Sequence, residues 1–253
     1  MTPAQTTRFA PSPTGRLHLG HALAALFAAR EAGPNGRFLV RIEDIDLGRS
    51  REAFVAGIFE DLRWLGLTWP EPVWRQSRRL AAYAEALATL RGRGLVYPCF
   101  CSRAEIAREI AAAASAPQGP DGPLYPGTCR HLPPEEAERR IAAGAPHVWR
   151  LDIARALAGT PTLSWRDRDR GVRAATPELF GDAVLARRDT PTSYHLAVTV
   201  DDAAQGITCV TRAIDLAPAT HLHRLLQHLL GLPTPDYRRS EERRVGKECR
   251  SRW

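Results

Sequence analysis

The sequence predicts an α/β protein with a Rossmann-like, doubly wound parallel sheet and a smaller α+β subdomain inserted between the two halves of that sheet. Three observations support this prediction. Strand-like and helix-like segments alternate through the first part of the chain, one strand has the apolar character of a strand buried on both faces, and Pro- and Gly-rich segments interrupt this order after Cys99. The chain has 253 residues, and at roughly 150 residues per domain this length accommodates one large domain with an insertion.

The first βαβ unit is predicted from the N-terminal segments. The segment TTRFA forms a short strand from Thr6, and the loop PSPTGRLHLGH leads into a helix from Ala22 to Ala32. Ala and Leu favour a helix there, and Gly33-Pro34 ends it. The segment RFLVRIE, from Arg37 to Glu43, is then typical of a buried parallel strand.

Two further helices complete the first half of the sheet domain, which we assign to residues 1–98. Ser50 is a candidate N-cap for a helix whose apolar residues recur at helical spacing until Gly66. The next helix is predicted from about Arg78 to Leu90. A strand, a helix, a second strand and further helices are the order expected of an open parallel sheet.

Residues 99–180 are predicted to form the inserted subdomain. Ser102 and Glu105 form a capping box that opens a helix to about Ala114, and the segment APQGPDGP then predicts a flexible loop. A short helix in PPEEAERRIAAG and a strand in HVWRLDI follow.

Residues 181–238 are predicted to form the second half of the sheet domain. The segments SYHLAVTVDD and ITCVTRAIDL predict two strands, and a helix runs from Pro218 or Ala219 to Leu230. From Arg239 the sequence RSEERRVGKECRSRW has no apolar periodicity and resembles the translation of a sequencing-library adapter. We therefore predict that residues 239–253 are a non-native tail, with a solvated basic tail as the alternative.

Composition and charge exclude several classes of protein. The 35 Lys and Arg residues outnumber the 28 Asp and Glu residues, and hydrophobic and charged residues make up 44% and 25% of the chain, as in ordinary globular proteins. No apolar run reaches the roughly 18 residues of a membrane helix, and the N-terminus lacks the layout of a signal peptide. We therefore expect a cytoplasmic protein whose cysteines are metal ligands or core residues rather than disulfides.

Two histidines at a helix start predict a phosphate site. His18 and His21 lie three residues apart, one helical turn, at a helix N-terminus. The unpaired amides and the dipole there favour an anion, and imidazoles donate hydrogen bonds to phosphate oxygens. Taken alone, two histidines at a helix start are more often surface or capping residues than a phosphate site.

The string RFAPSPTGRLHLGH, followed by RIEDID, resembles the glutamyl and glutaminyl branch of the class I aminoacyl-tRNA synthetases, with HLGH at the position of the HIGH signature. The resemblance runs from Thr6 to Tyr237. Within that branch, the CFC…YPGTC pattern and the segment TSYHLAVTVDDAAQGIT are most similar to the glutamyl-Q family, which lacks an anticodon-binding domain.

This resemblance implies ATP-dependent activation of L-glutamate as glutamyl-adenylate and transfer of the glutamyl group to the queuosine base in the anticodon of tRNA(Asp). Mg²⁺ is expected to accompany the ATP phosphates. The implied partners are L-glutamate, ATP and tRNA(Asp), with no membrane and a monomeric chain. Two alternatives stay open: a fragment of a glutamyl-tRNA synthetase that charges the tRNA 3′ end, and an inactive RNA-binding paralogue.

The resemblance also assigns roles to individual residues. His18 and His21 are the implied catalytic donors, and they bind ATP together with Gly20. Arg8 and Arg212 meet the substrate carboxylates, which suits the planar fork of arginine, and Glu43 receives the substrate ammonium. The remaining implied contacts to L-glutamate come from the following residues: Phe9, Ala10, Pro11, Ser12 and Tyr194.

Two features of this assignment leave alternatives. Arg8 and Glu43 are also compatible with a simple ion pair between neighbouring strands. The family usually has arginine-glycine-alanine-aspartate where this chain has Arg212-Ala213-Ile214-Asp215, and the larger side chains are expected to tilt that loop.

The cysteines predict a zinc site in the insertion. Cys99 and Cys101 lie close together, and Cys129 follows after the flexible loop. Zn²⁺ prefers four tetrahedral ligands and would stabilise a weakly packed insertion. The glutamyl-Q family pattern implies Tyr125 as the fourth ligand, and His131 is the alternative fourth ligand. Three cysteines that bind no metal are the alternative to a zinc site. Cys209 lies in a strand pattern and is expected in the core.

A second signature of this enzyme class, a KMSKS-like loop with a lysine, follows the LLGLP…PDYR segment in the family. Here the predicted tail begins directly after PDYR. Loss of one such donor costs on the order of 10² to 10³ in rate, so we expect this chain to be severely impaired.

Overall fold

The computed structural model describes residues 4–112, 118–187, 190–213 and 216–240. The helices are Leu19–Ala32 (α1), Glu52–Trp64 (α2), Leu80–Gly92 (α3), Arg103–Ala112 (α4), Pro134–Ala142 (α5), Ile153–Ala158 (α6), Tyr194–Ala204 (α7) and Ala219–Leu229 (α8). The strands are Thr6–Phe9 (β1), Arg37–Ile42 (β2), Trp74–Arg75 (β3), Val96–Cys99 (β4), Gln118–Gly119 (β5), Gly122–Pro123 (β6), Val148–Leu151 (β7), Ser164–Asp167 (β8), Gly171–Ala174 (β9), Val184–Ala186 (β10), Cys209–Ala213 (β11) and Asp236–Ser240 (β12). Within the described ranges no helix is both long and apolar enough to cross a bilayer.

The predicted βαβ unit is present. Strands β1 and β2 pair in parallel, and α1 connects them. The inward face of α1 is formed by small side chains, Ala25 and Ala28, which pack against Phe9 and Val40 in one apolar cluster. Because alanine side chains are small, α1 lies close to the sheet at this contact.

Parallel pairing continues on both sides of this unit, which confirms the predicted fold class. Strand β3 pairs with β2, and β12 pairs with β11, all in parallel. The strands β1, β2 and β3 meet the strands β11 and β12 where the Thr208 N–H donates to the Thr6 carbonyl at 2.9 Å, so β1 lies beside β11. The carboxyl ends of the central strands therefore face the same edge of the sheet, where ligands bind in open α/β folds.

A second, antiparallel sheet has the order β10-β7-β4. Its strands begin at Val96 and end at Ala186, so it includes residues on both sides of the predicted 99–180 segment. Strands β8 and β9 lie inside that segment, yet β8 pairs with β12 through Tyr237 and Asp167. Thus β8, from the predicted insertion, pairs with the main sheet, and β10, from outside the insertion, pairs with β7 inside it.

One predicted strand is wrong. The segment SYHLAVTVDD forms helix α7 instead. Its β-branched residues suggest a strand, but Ser193 is an N-cap whose Oγ accepts from the Leu196 N–H at 3.3 Å, and Thr199 Oγ1 donates to the His195 carbonyl at 2.8 Å. Tertiary packing and the cap outweigh β-propensity here.

Smaller differences concern element boundaries. Helix α1 begins at Leu19, three residues before Ala22, because His18 caps it. Helix α2 has Arg51 at its N-cap rather than Ser50, whose Oγ donates to the Asp46 carbonyl at 2.8 Å. The predicted flexible loop contains a two-stranded hairpin, β5-β6. The capping box of Ser102 and Glu105 is present at the start of α4, and the end predicted at Ala114 falls outside the described residues.

Strand β12 extends two residues beyond the predicted start of the tail. Arg239 and Ser240 pair with Arg212 and Ala213, and Arg239 Nε donates to Asp167 at 3.1 Å. Residues 241–253 lie outside the described residues. Cys209 is fully buried in β11, as expected of a core residue.

Candidate active site and metal centre

The start of α1 presents two stacked imidazoles. The rings of His18 and His21 lie 3.8 Å apart between centroids, at an angle of 26°. The Gly20 N–H donates to His18 Nδ1 at 3.1 Å, and the His18 N–H donates to His21 Nδ1 at 3.2 Å. The two side chains therefore form a reciprocal capping box, and the Gly20 amide is engaged by His18.

These backbone donors fix the tautomer of both rings. A neutral imidazole has one donor and one acceptor nitrogen, so accepting at Nδ1 leaves the proton on Nε2. Burial, with a smaller contribution from His18, lowers the pKa of His21 and keeps it neutral at pH 7. Each histidine thus offers an Nε2–H donor at a helix N-terminus, an arrangement suited to phosphate oxygens.

Arg8 lies on β1 at the carboxyl edge of the sheet and is 6% exposed. Its Nε and Nη2 donate to the two carboxylate oxygens of Asp202 at 2.9 and 3.2 Å, and Nη1 donates to the Thr211 carbonyl at 3.0 Å. An arginine has five N–H donors, so one hydrogen remains on each terminal nitrogen. Asp202 and Thr211 hold the guanidinium in place and leave these two donors for a ligand.

Glu43 follows β2 and is held by Arg41. Arg41 is fully buried, and its Nη2 donates to Glu43 Oε1 at 3.0 Å while Nη1 donates to Asp202 Oδ1 at 2.8 Å. Burial raises the pKa of Glu43, although Arg41 and Arg8 oppose this shift. Burial also acts to raise the pKa of Asp202, but Arg8 and Arg41 outweigh it and hold that pKa below its ordinary value. Arg8 and Glu43 do not pair with each other, so the simple ion-pair interpretation is wrong.

Tyr194 and Arg212 complete the same cluster. Tyr194 begins α7, and burial raises the pKa of its phenol in the field of Arg212, Glu43 and Arg8. Arg212 lies on β11, is 6% exposed, and contacts His223 Nδ1 through Nη1 at 3.2 Å. Its buried Nε has no hydrogen-bond partner among the described residues. Of the two enlarged side chains that were expected to tilt the following loop, Ala213 ends β11, and Ile214 lies outside the described residues.

We call this group of ionic side chains the arginine–carboxylate cluster. Its four arginines and three carboxylates are Arg8, Arg41, Arg79, Arg212, Glu43, Asp201 and Asp202. The cluster therefore carries one excess positive charge, and an amino acid with a net charge of −1 would neutralise it. Arg79 is 23% exposed and the other six residues are almost fully buried, so most of these charges are weakly screened and the match favours an anionic ligand.

The other residues predicted to contact L-glutamate lie on the strand and loop that lead to α1. Phe9 is buried in the core of the sheet, and Pro11 accepts from the Glu43 N–H at 3.0 Å. That bond ties the loop to the end of β2. Ala10 is partly exposed and Ser12 is exposed at the surface of the loop.

The predicted metal ligands come together in the insertion. The sulfur atoms of Cys99, Cys101 and Cys129 all lie within 4.8 Å of one another. Tyr125 Oη lies 3.3 Å from Cys99 Sγ and 3.4 Å from Cys101 Sγ. His131 is exposed, so the geometry favours Tyr125 over His131 as the fourth member of this group.

The chemistry of this donor set fits Zn²⁺. With Zn–S bonds of about 2.3 Å, two sulfur ligands of a tetrahedral ion lie about 3.8 Å apart, within the spacing found here. Burial raises the pKa of Cys101 to about 12, so this thiol stays protonated unless a cation compensates its charge. The Phe100 N–H donates to Cys129 Sγ at 3.4 Å, which is the type of outer contact that stabilises a metal-bound thiolate.

Several residues that support the site were missed by the sequence analysis. Asp201 and Asp202 were assigned to a strand, and α7 instead directs both into the interior, where Tyr83 Oη donates to Asp201 Oδ2 at 2.7 Å. His195 and His223 gave no pattern, although both lie beside Tyr194. The only available signal was the pair of adjacent acids in an apolar segment, since buried carboxylates need partners.

Comparisons with known proteins agree with this geometry. The family model described as tRNA synthetases class I (E and Q), catalytic domain, matches residues 5–248. The glutamyl-Q tRNA(Asp) synthetase of Rhodobacter capsulatus is 51% identical over 246 residues, covering 91% of this chain and 84% of that protein. A glutamate–tRNA ligase of Methylococcus capsulatus is 39% identical over 91% of this chain and 49% of its own length.

A solved structure shares the fold. The glutamate–tRNA ligase of Elizabethkingia meningosepticum, in complex with its amino acid, matches with a TM-score of 0.78 and 28% identity over 93% of this chain. The match covers 49% of that ligase. The chain therefore spans about half the length of the glutamate–tRNA ligases that it resembles.

Proposed function

The chain belongs to the class I tRNA synthetases of the glutamate and glutamine type, and from this membership we propose that it activates L-glutamate with ATP and transfers the glutamyl group to the queuosine base in the anticodon of tRNA(Asp). The observation that carries the proposal is the arginine–carboxylate cluster, whose excess positive charge suits an anionic substrate. The two phosphate donors at the start of α1 supply the second part of the site. The resemblance to glutamyl-Q enzymes over nearly the whole chain supplies the acceptor.

L-Glutamate would be held at the carboxyl edge of the sheet. The two remaining N–H groups of Arg8 and the Nε–H of Arg212, which has no partner among the described residues, would donate to its carboxylates. The Glu43 carboxylate would accept from its ammonium. Tyr194 and Ser12 add hydroxyl contacts, and Phe9, Ala10 and Pro11 form the backbone beside them. Two carboxylates and one ammonium are thus matched by cations and one anion.

ATP would bind at the start of α1, where the Nε2–H groups of His18 and His21 donate to its phosphates and Gly20 allows close approach. The substrate carboxylate attacks the α-phosphorus, the bond to the β-phosphate oxygen breaks, and pyrophosphate leaves. Since no protein group is transferred, the rate depends on positioning and on donors aimed at the developing phosphate charge. Mg²⁺ enters as the counter-ion of the ATP phosphates.

The acceptor base needs space next to the adenylate. A cavity of about 480 Å³ opens beside Tyr194 and His195 and reaches the insertion at Asp121 and Arg150. This volume is in the range of small-molecule sites and accommodates a nucleobase. Its position supports entry of the RNA between the insertion and the main sheet.

We also infer that Cys99, Cys101, Tyr125 and Cys129 hold one Zn²⁺. When bound, the ion supplies a structural crosslink between β4 and the segment that follows the β5-β6 hairpin. We assign this metal a structural role, because its ligands are three thiols and a phenol within the insertion. The protein around it positions the insertion over the cavity.

The experiment that tests the proposal follows radiolabelled glutamate into RNA under single-turnover conditions, with the protein in excess so that a slow activation step does not hide transfer. Queuosine-containing tRNA(Asp), the same tRNA without queuosine, and tRNA(Glu) are compared. We expect label only in the first. Label in tRNA(Glu) that is lost on oxidation of its 3′ end would establish the second candidate, a charging enzyme, which the glutamate–tRNA ligase relatives favour. No label in any RNA, together with no glutamate binding, would contradict both.

A further inference from the structure

Four side chains form a continuous hydrogen-bonded chain from the surface of the insertion to Arg212. Asp121 in the turn of the β5-β6 hairpin lies 3.2 Å from His195 Nε2, measured from Oδ2. His195 Nδ1 lies 3.0 Å from His223 Nε2, and His223 Nδ1 lies 3.2 Å from Arg212 Nη1. The chain therefore links the insertion, α7, α8 and β11.

Arginine fixes the direction of every bond in this chain. A guanidinium has no acceptor, so His223 must accept at Nδ1 and carry its proton on Nε2. His223 Nε2–H then donates to His195 Nδ1, and His195 Nε2–H donates to Asp121. The geometry thus requires both rings to be neutral Nε2–H tautomers.

The surroundings of His223 keep its acceptor lone pair available. His223 is 2% exposed, and Arg212 on β11, Arg8 on β1, and His195 and Tyr194 on α7 face it. Burial and these neighbours hold the pKa of His223 well below its ordinary value. The Tyr194 ring packs against both histidines, with centroids 5.4 Å from His195 and 5.7 Å from His223.

We propose that His223 is a positioning residue for glutamate recognition: by accepting from Nη1, it orients Arg212 so that the buried Nε and the second terminal nitrogen face the substrate carboxylate. His195 and Asp121 hold the His223 ring from behind. This inference rests on the proposed function, because it names the residue that prepares one of the proposed carboxylate ligands. Without His223, Arg212 has a buried donor without a partner and turns toward another acceptor.

Calorimetric titration with L-glutamate tests the role of His223. Asparagine places its carbonyl oxygen near the position of Nδ1, so His223→Asn keeps the acceptor for Arg212 while losing the bond to His195. We expect its Kd for L-glutamate to stay within about threefold of the unsubstituted chain, whereas His223→Leu raises the Kd by about 10- to 100-fold. His228→Leu, a partly exposed histidine on the same helix, is the matched control and leaves the Kd unchanged.

The outcomes separate the two proposals. If the unsubstituted chain does not bind L-glutamate, the proposed function fails. If the unsubstituted chain binds and His223→Leu has the same Kd for L-glutamate, only the role of His223 is overturned. That role is also overturned if His223→Asn and His223→Leu have equal Tm values and equally raised Kd values.

A spectroscopic measurement keeps the inference testable where His223→Leu fails to fold. Long-range ¹H–¹⁵N spectra of the imidazoles in the unsubstituted chain are expected to show neutral Nε2–H tautomers for His195 and His223 at pH 7. An Nδ1–H tautomer or an imidazolium at His223 would overturn the proposal, since neither accepts from Arg212.

Discussion

The arginine–carboxylate cluster and the group formed by Cys99, Cys101, Tyr125 and Cys129 are both buried polar sites, but they differ in what completes them. In the first, Arg8 and Arg41 pair with Glu43 and Asp202 across β1, β2 and α7 before any ligand is present. In the second, three thiols and a phenol lie against one another, and burial raises the pKa of Cys101. The first site therefore stabilises the fold by itself, whereas the second needs a cation to do so.

The largest effect that tests this comparison is expected from Arg41→Met. Arg41 is fully buried and joins Glu43, Asp201 and Asp202, so removing its charge leaves three carboxylates without their shared partner. Breaking such a network costs about 3–5 kcal/mol, which urea unfolding measures. The exposed pair of Arg16 and Glu60, at 3.4 Å, is the control, and Arg16→Met should cost less than about 1 kcal/mol. Equal losses in the two variants would contradict a self-sufficient cluster.

The next effect concerns the phosphate donors and is read from activity rather than stability. His18→Ser keeps an N-cap oxygen for α1 but removes the Nε2–H donor. We expect glutamate-dependent ATP–pyrophosphate exchange to fall by about 10² to 10³ relative to the unsubstituted chain, with little change in Tm. An unchanged exchange rate would show that His18 serves only as a cap.

A smaller change is expected at the cysteine site, where Tyr125→Phe removes one proposed ligand and keeps the ring. Competition with a zinc chelator should show a loss of zinc affinity of at least about 10- to 100-fold, the loss that removal of an outer partner of a metal ligand already causes. His131→Ala is the matched control, because His131 is exposed. The assignment is reversed if His131→Ala loses the metal and Tyr125→Phe keeps it.

The smallest effect is expected from Ser102→Ala, which removes the cap of α4 directly after Cys101. The Glu105 N–H loses its acceptor, at 3.2 Å, and the cost is about 1 kcal/mol. If the insertion depends on the metal, this loss should be measurable with zinc present and should vanish after chelation, when the insertion has already loosened. Thermal unfolding in the two conditions makes the comparison, and equal losses would argue that the insertion folds without zinc.

The sequence was sufficient to predict the residues proposed to contact ligands at both sites. It was not sufficient to predict the residues that hold them in place. His18, His21, Arg8 and Glu43 lie in strings whose spacing is specific. The structure brings Arg8 and Glu43 into one cluster and stacks the two histidines at the start of α1. Cys-x-Cys with Tyr-x₃-Cys likewise predicted four groups that do meet. In both cases, short-range spacing fixes which side chains share a loop or a strand end.

The residues that hold the site in place could not be predicted, because their contacts join elements that are distant in the sequence. Asp202 lies 194 residues from Arg8, and its helix was assigned to a strand, since β-branched residues in α7 hide the helical period. His195 and His223 come from two helices whose packing no local pattern specifies. The strand exchange between β8 and β12 is similarly non-local, and a boundary drawn from composition does not capture it.

The excess positive charge of the arginine–carboxylate cluster has a consequence for substrate choice. L-Glutamine has nearly the shape of L-glutamate but no net charge, so in the same pocket it would leave the excess positive charge of a largely buried cluster uncompensated. Discrimination between the two amino acids would then be electrostatic rather than steric. It would be lost by neutralising an arginine, and it would survive changes that merely enlarge the pocket.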